Sequence, residues 1–248
     1  MKKPSLKIFF ALASIALLMS ACAKVDVPAI KKMNKIALVT LMAPEDVNTS
    51  EVSSGSLLAL AATAAQSDST SLKPMMDAVK DQILRESKGI FRVQMVPESQ
   101  VLSSKFYKAI KDENMGGKIA PDGYKQIYPN QTELVLEAIK GLRGVDGALI
   151  VMMDAKLEKA GTSIGVTQAR VNTTLTMHLF DATGKKVLMQ GATRSGDKTI
   201  SSFAGVWRGS DLKEQVNSSV SNVLEYVKEM IDDKFKEAAE AEKAAKKG

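Results

Sequence analysis

The chain contains one cysteine, Cys22, and the sequence ahead of it differs in kind from the sequence behind it. Lys2, Lys3 and Lys7 precede an apolar run over residues 8–19, no acid occurs before the cysteine, and Ser20-Ala21 lead directly into it. The run falls short of the roughly 18 to 20 residues that span a bilayer as a helix. A basic start, a short apolar stretch and small residues at the end describe a secretory signal peptide over residues 1–21. A single cysteine also allows no disulfide within the chain. The 227 residues from Cys22 onward, 248 less 21, must therefore hold together by their own core, and that length suffices for one sizeable domain.

The net charge of +6 needs correcting for the leader. Of 34 basic residues three lie in it, leaving 31 against 28 acids, a net +3. The charges are interleaved along the chain, whereas a nucleic-acid protein gathers Lys and Arg on one face. No nucleic-acid partner is expected.

Residues 23–35, which end in Lys31, Lys32 and Lys35, read as a tether from the cysteine to the domain. Thirteen extended residues reach about 45 Å. A buried strand follows over residues 36–41. Residues 45–71 are rich in Ser, Thr and Ala around one apolar island, a long loop holding a short helix and a candidate partner surface. Leu72, Met75, Met76, Val79 and Ile83 carry helical spacing, and Gly89 suits the stop. Phe91, Val93 and Met95 alternate as a strand. Ser99 opens a helix that includes Phe106 and Ile110, and Thr132 opens another, which Gly144 closes.

Residues 148–153 are apolar on both faces, as in the middle of a covered sheet. Two strands follow at about 166–180 and 185–195, joined by Asp181-Ala182-Thr183-Gly184, where glycine supplies the positive φ of a short hairpin. A final helix opens on Asp211 and Glu214, which match a capping box. Its stripe runs from Leu212 to Phe235, and a charged Ala/Lys/Glu tail occupies 236–248. Strand and helix alternate first and a hairpin comes late. That order predicts an α/β fold over residues 36–235, a mixed sheet with helices packed on it.

Several patterns imitate chemistry. Gly161-Thr162-Ser163-Ile164-Gly165 matches a hydrolase nucleophile as text, but a strand rather than a helix follows it, and the one histidine, His178, lies in that strand. A turn at Ser163 is the simpler reading, with a hydrolase through Ser163 kept as an alternative. His178 alternates with Thr174 and Thr176 and is expected at the surface or an edge. One histidine and one cysteine are too few ligands for zinc. No cofactor motif occurs. Trp207, Tyr124 and Tyr128 are the candidate partner-binding aromatics, with a packing role as the rival for Trp207. Met75, Met76, Met95, Met152, Met153 and Met177 fall at core positions, where methionine fills irregular gaps.

Leu17-Leu18-Met19-Ser20-Ala21-Cys22 resembles the lipobox of bacterial lipoproteins. The resemblance implies cleavage before Cys22 and a lipid on its sulfur. With Ala23 rather than aspartate next, it also implies retention in the outer membrane. The strand and helix order over residues 35–232, with Asp181-Ala182-Thr183-Gly184-Lys185-Lys186-Val187 at its hairpin, resembles the α/β domain shared by the curli-secretion lipoprotein and the lipoprotein activators of penicillin-binding proteins. That resemblance implies a periplasm-facing, non-enzymatic protein that works through protein partners. The stretch 155–172 is too short and polar to supply barrel strands of the curli type. The expectation is thus a lipid-anchored envelope binding or assembly protein, with a surface-exposed adhesin-like lipoprotein as the alternative.

Overall fold

The computed structural model describes residues 24–52, 70–111, 116–163, 166–203 and 207–246, with the backbone alone at Phe203. Its centre is the expected both-face apolar strand, and that strand is longer than its sequence announces. Gly147–Ser163 (β5) pairs along its whole length with Val166–Asp181 (β6). The polar stretch 155–172 is therefore the outer half of one long hairpin, not a set of short pieces. Its polarity reflects exposure, since Glu158, Lys159 and Arg170 lie open to solvent.

β5 also runs parallel to Lys35–Pro44 (β2), which pairs in parallel with Gln94–Met95 (β3) and antiparallel with Lys118–Ile119 (β4). On the other side of β6 lies Lys186–Ser195 (β7), antiparallel. Where β7 ends opposite Asn172, Ile200–Phe203 (β8) takes over the pairing with residues 166–169. Lys24–Val25 (β1) adds at the edge of β7. The sheet thus mixes parallel and antiparallel pairs in the order β1-β7-β6-β5-β2-β3.

Alternation sorts the strands' side chains onto two faces. Leu149, Val151, Met153, Leu175, Met177 and Leu179 meet Met76–Phe91 (α2) and Gly209–Ala245 (α6) on one face. Ala148, Ile150 and Phe180 meet Glu98–Ser103 (α3), Lys105–Ala109 (α4) and Thr132–Ile139 (α5) on the other. Four of the six expected core methionines are buried, while Met95 and Met152 are half-buried. The fold is α/β, with the late hairpin and the long terminal helix as expected. Among the described residues no helix is long and apolar enough to cross a membrane.

The predicted hairpin turn forms. Gly184 sits at φ +83°, and Asp181 Oδ1 accepts from the N–H of Thr183 (2.9 Å) and of Lys185 (3.0 Å). Elsewhere local signals lose to tertiary contacts. α2 runs through Gly89 and stops at Arg92, which takes the left-handed conformation itself. The guanidinium of Arg92 lies 4.6 Å over the Phe235 ring and donates to Asp232 (2.6 Å). Phe91 ends that helix, so the strand it was to open shrinks to β3. The helix from Ser99 breaks at Ser104 into α3 and α4. The Asp211/Glu214 capping box does not form. α6 starts earlier, at Gly209, and Glu214 pairs with Lys198 instead.

The tether expected at residues 22–35 also fails from Lys24 onward. β1 is hydrogen-bonded into the sheet edge, and Val27–Ile30 (α1) follows at once, capped by Asp26, whose Oδ1 accepts from Ala29 N–H (3.1 Å). Val27, Ile30 and Met33 are buried in the main core. The N–H groups of Asn34 and Lys35 donate to Asp146 Oδ2 (2.7 and 3.1 Å). Valine, isoleucine and methionine at three-residue spacing present one apolar face, and the lysines between them point to solvent. The domain begins at least eleven residues before Lys35, at Lys24.

Candidate functional site

Two of the three predicted aromatic sites, Trp207 and Tyr124, are core. Trp207 is 5% exposed and packs with the residues under α6. Tyr124 is 6% exposed, and burial pushes its phenol above the ordinary tyrosine range. The loop that carries it is stapled to β2. Tyr107 Oη donates to Val39 O (2.7 Å) and accepts from Lys125 N–H (2.8 Å), while Thr40 Oγ1 donates to Lys125 O (3.0 Å) and accepts from Ile127 N–H (3.2 Å). Tyr128 is half-buried, with its N–H given to Gln131 Oε1 (2.8 Å). Neither Trp207 nor Tyr124 is available to a partner. Cys22 lies outside the described residues, as do residues 53–69 of the candidate loop surface. The described parts of that loop are tied down, with Val47 N–H donating to Thr70 O and Leu157 N–H to Asn48 O.

Ser163 and His178 do not meet. Ser163 ends β5 opposite Val166, twelve residues along β6 from His178, or about 40 Å at strand rise. His178 is buried at 5% exposure, not at an edge, because its strand has β5 on one side and β7 on the other, with Ile150 and Met189 directly opposite. Burial, reinforced by the charge of Lys186, lowers its pKa to about 4. Among the described residues no group of three His, Cys, Asp or Glu side chains is placed to hold a metal.

The structure assembles a surface feature that the sequence did not announce. β1 covers β7 only at Leu188 and Met189, so the backbone beyond faces an open groove of about 960 Å³ between the β7 edge and α6. Its lining includes Val25, Gly191, Arg194, Tyr226, Met230 and Glu237. The carbonyls of Gly191 and Thr193 accept from Gln190 Nε2 and Arg194 Nη1, both at 2.8 Å. The edge is thereby blunted by the strand's own side chains, one way sheets resist adventitious pairing. Arg194 also lies 3.4 Å over the Tyr226 ring, a cation–π contact that fixes both side chains in the groove wall. One legible signal existed. Alternation puts Arg194 on the same face as Leu188 and Ala192, and an arginine on an apolar face needs a partner. The partner lies 32 residues away, on α6.

A second groove, about 840 Å³, lies between β8 and the first turns of α6, lined by Lys198, Ser201, Arg208, Asp211 and Glu214. The link from β7 to β8 bulges over the helix there. Asp197 N–H donates to Ser218 Oγ (3.1 Å), Lys198 N–H to Gln215 Oε1 (2.9 Å) and Asn222 Nδ2 to Asp197 Oδ1 (3.0 Å). Both grooves offer guanidinium, ammonium, carboxylate, hydroxyl and apolar groups, a set suited to binding by ion pairs and hydrogen bonds.

No protein-family model and no curated protein matches the chain. A search of solved structures finds similarity to the hypothetical protein CT253 of Chlamydia trachomatis, at 11% identity, over 78% of this chain and 93% of that one, with a TM-score of 0.29. The class that the architecture defines is an α/β domain on a mixed sheet.

Proposed function

We propose that this is a lipid-anchored envelope protein. It is exported by the leader over residues 1–21, cleaved before Cys22, held in the outer membrane by lipid on that cysteine, and faces the periplasm. There the α/β domain binds a protein partner and does no chemistry of its own. The observation that carries the reading is the lone Cys22 set immediately after a leader-like segment, as in the lipobox it resembles. The groove beside the β7 edge, with its Arg194–Tyr226 wall, supports a binding role, because its mixed lining offers ion pairs, hydrogen bonds and apolar contact through side chains. The resemblance to curli-secretion and penicillin-binding-protein-activator lipoproteins favours the same kind of work.

The test is direct. The wild-type chain should incorporate a fatty-acid analogue and fractionate with outer membrane, and Cys22→Ala should do neither. A wild-type protein that is unlabelled and soluble refutes the reading. Affinity capture from detergent-solubilised envelope then asks for the partner. Captured protein should fall away with Arg194→Glu if the groove is the contact.

A further inference from the structure

We propose that the groove beside β7 is a site for an acidic peptide segment of the partner. Arg194, clamped on Tyr226, takes one aspartate or glutamate side chain, and the apolar wall beside it takes an aliphatic neighbour. The proposal rests on the reading that the domain binds a protein partner, and it names the chemistry by which that partner is recognised.

The strand edge is the first argument. The carbonyls of Gly191 and Thr193 point out of the sheet edge, because Gln190 Nε2 and Arg194 Nη1 reach them from the open side, each at 2.8 Å. In an antiparallel ladder a residue's N–H points to the same side as its carbonyl. The N–H groups of Gly191 and Thr193 therefore face outward as well. Among the described residues β1 pairs with β7 at Leu188 and Met189, short of both. The strand's own side chains thus fill the acceptors of this edge and leave its donors open. Such an edge resists another strand, which needs donors and acceptors in alternation. It suits a carboxylate, which accepts and never donates.

Charge is the second argument. Arg194 is half-buried, and its guanidinium lies 3.4 Å over the Tyr226 ring, a stack that covers one face and leaves the N–H groups in the plane. One of them goes to Thr193 O. Among the described residues no acid pairs with Arg194, although the groove lining holds two. Asp233 accepts from Lys236 Nζ (2.9 Å) and Glu237 from Lys234 Nζ (2.7 Å). Arg194 is thus the unmatched charge of the lining, held in place before any ligand arrives and set beside the open Thr193 N–H. A planar fork of this kind recognises a carboxylate by paired hydrogen bonds. One open cation matches one negative charge, whereas a phosphate group carries nearly two. Val25, Ala192, Met230 and Ile231 line the same groove of about 960 Å³, which is more apolar space than a lone ion fills. An acidic side chain with an aliphatic neighbour uses the fork, the edge donor and the apolar wall together.

The test probes the full-length protein, purified in detergent, with an array of acetylated random heptapeptides tethered through their C-termini, so that side chains supply every carboxylate. Bound spots should be enriched in Asp or Glu next to Leu, Ile, Val or Met. The best binder, resynthesised as an amide, should lose affinity roughly tenfold to a hundredfold on Arg194→Gln. Replacing the peptide's own acid by its amide should cost as much, and the two changes together should cost less than the product of both. Arg194→Lys keeps the charge without the fork and should also weaken binding. The change on the peptide leaves the protein untouched, so a poorly folded variant does not decide the outcome. Bound spots without acid enrichment, or binding indifferent to Arg194→Gln and to the peptide's acid, overturn the carboxylate site alone. So does displacement of the peptide by millimolar inorganic phosphate where equimolar acetate has no effect. An array with no bound spot overturns it too, and if solubilised envelope also yields no captured protein, the binding role falls with it.

Discussion

Replacing Ile30 by alanine separates a docked N-terminal segment from a free tether. Ile30 is 0% exposed and sits in the main core with Val27 and Met33, under the contact between α1 and α6. The substitution removes three carbons, worth about 0.8 kcal/mol each in transfer, and leaves a cavity in addition. The sum is about 3–4 kcal/mol, inside the range of about 2–5 found for buried Ile→Ala. For a chain of this size that is a fall in Tm of about 6–16 °C. The assay is urea and thermal unfolding, followed by circular dichroism, on the chain from residue 22 onward with Cys22→Ala. Lys32→Ala, two residues away and exposed, is the control and should stay within about 0.5 kcal/mol of its parent. An Ile30→Ala change that is equally small would refute the docking.

Three further outcomes follow from the packing. Gly147→Ala should cost about 2–3 kcal/mol in the same urea assay, because a Cβ there would lie 2.5 Å from the Phe180 carbonyl oxygen in a strand flanked on both sides. Ser219→Ala should cost about 1–3 kcal/mol, since it strands the buried Thr173 Oγ1 that now bonds Ser219 Oγ at 2.5 Å, whereas Ser218→Ala, at a half-buried position whose Oγ accepts only the solvent-accessible Asp197 N–H bond, should cost less. His178 should make stability depend on pH between about 6.5 and 4. Its folded pKa is lowered to about 4 by burial, so below about 6.5 the unfolded chain binds the extra proton. The His178 contribution is complete above pH 6.5 and is lost as pH falls toward 4, by about 3 kcal/mol in all. His178→Leu should flatten that part of the pH profile, and an unchanged slope would count against the burial.

The parts of the fold that were legible are those whose signal is local and repeated. Residues 148–153 declare a covered strand, the alternation of Leu175, Met177 and Leu179 declares its neighbour, and Asp181 with Gly184 declares the turn, because period and turn chemistry are set within a few residues. The illegible parts are those decided by what arrives from elsewhere in the chain. Gly89 should end α2 by propensity, yet Arg92 ends it, because Phe235 and Asp232 on α6 hold its side chain in place. His178 looked like a surface residue because its neighbours on that face are threonines, and only the arrival of β7 encloses it. Arg194 and Tyr226 form the groove wall from two elements that share no local pattern.

Residues 24–35 are the most consequential case. Read alone, lysines around a few apolar residues describe a solvated linker. In the fold the apolar residues are a buried face and the lysines its exterior. That difference bears on function. A long tether would leave the orientation of the domain to diffusion, and both grooves would be presented at random angles to the membrane. With β1 pinned to β7 two residues after Cys22, an anchored protein would carry the β7 groove beside its anchor and the β8 groove about 30–40 Å away along the hairpin. A partner bound in the β7 groove would then be held close to the anchor, whereas one bound at the hairpin tip would be held farther from it. Arg194→Glu and a charge reversal at Lys198 or Arg208 therefore probe the two grooves separately, at different distances from the anchor.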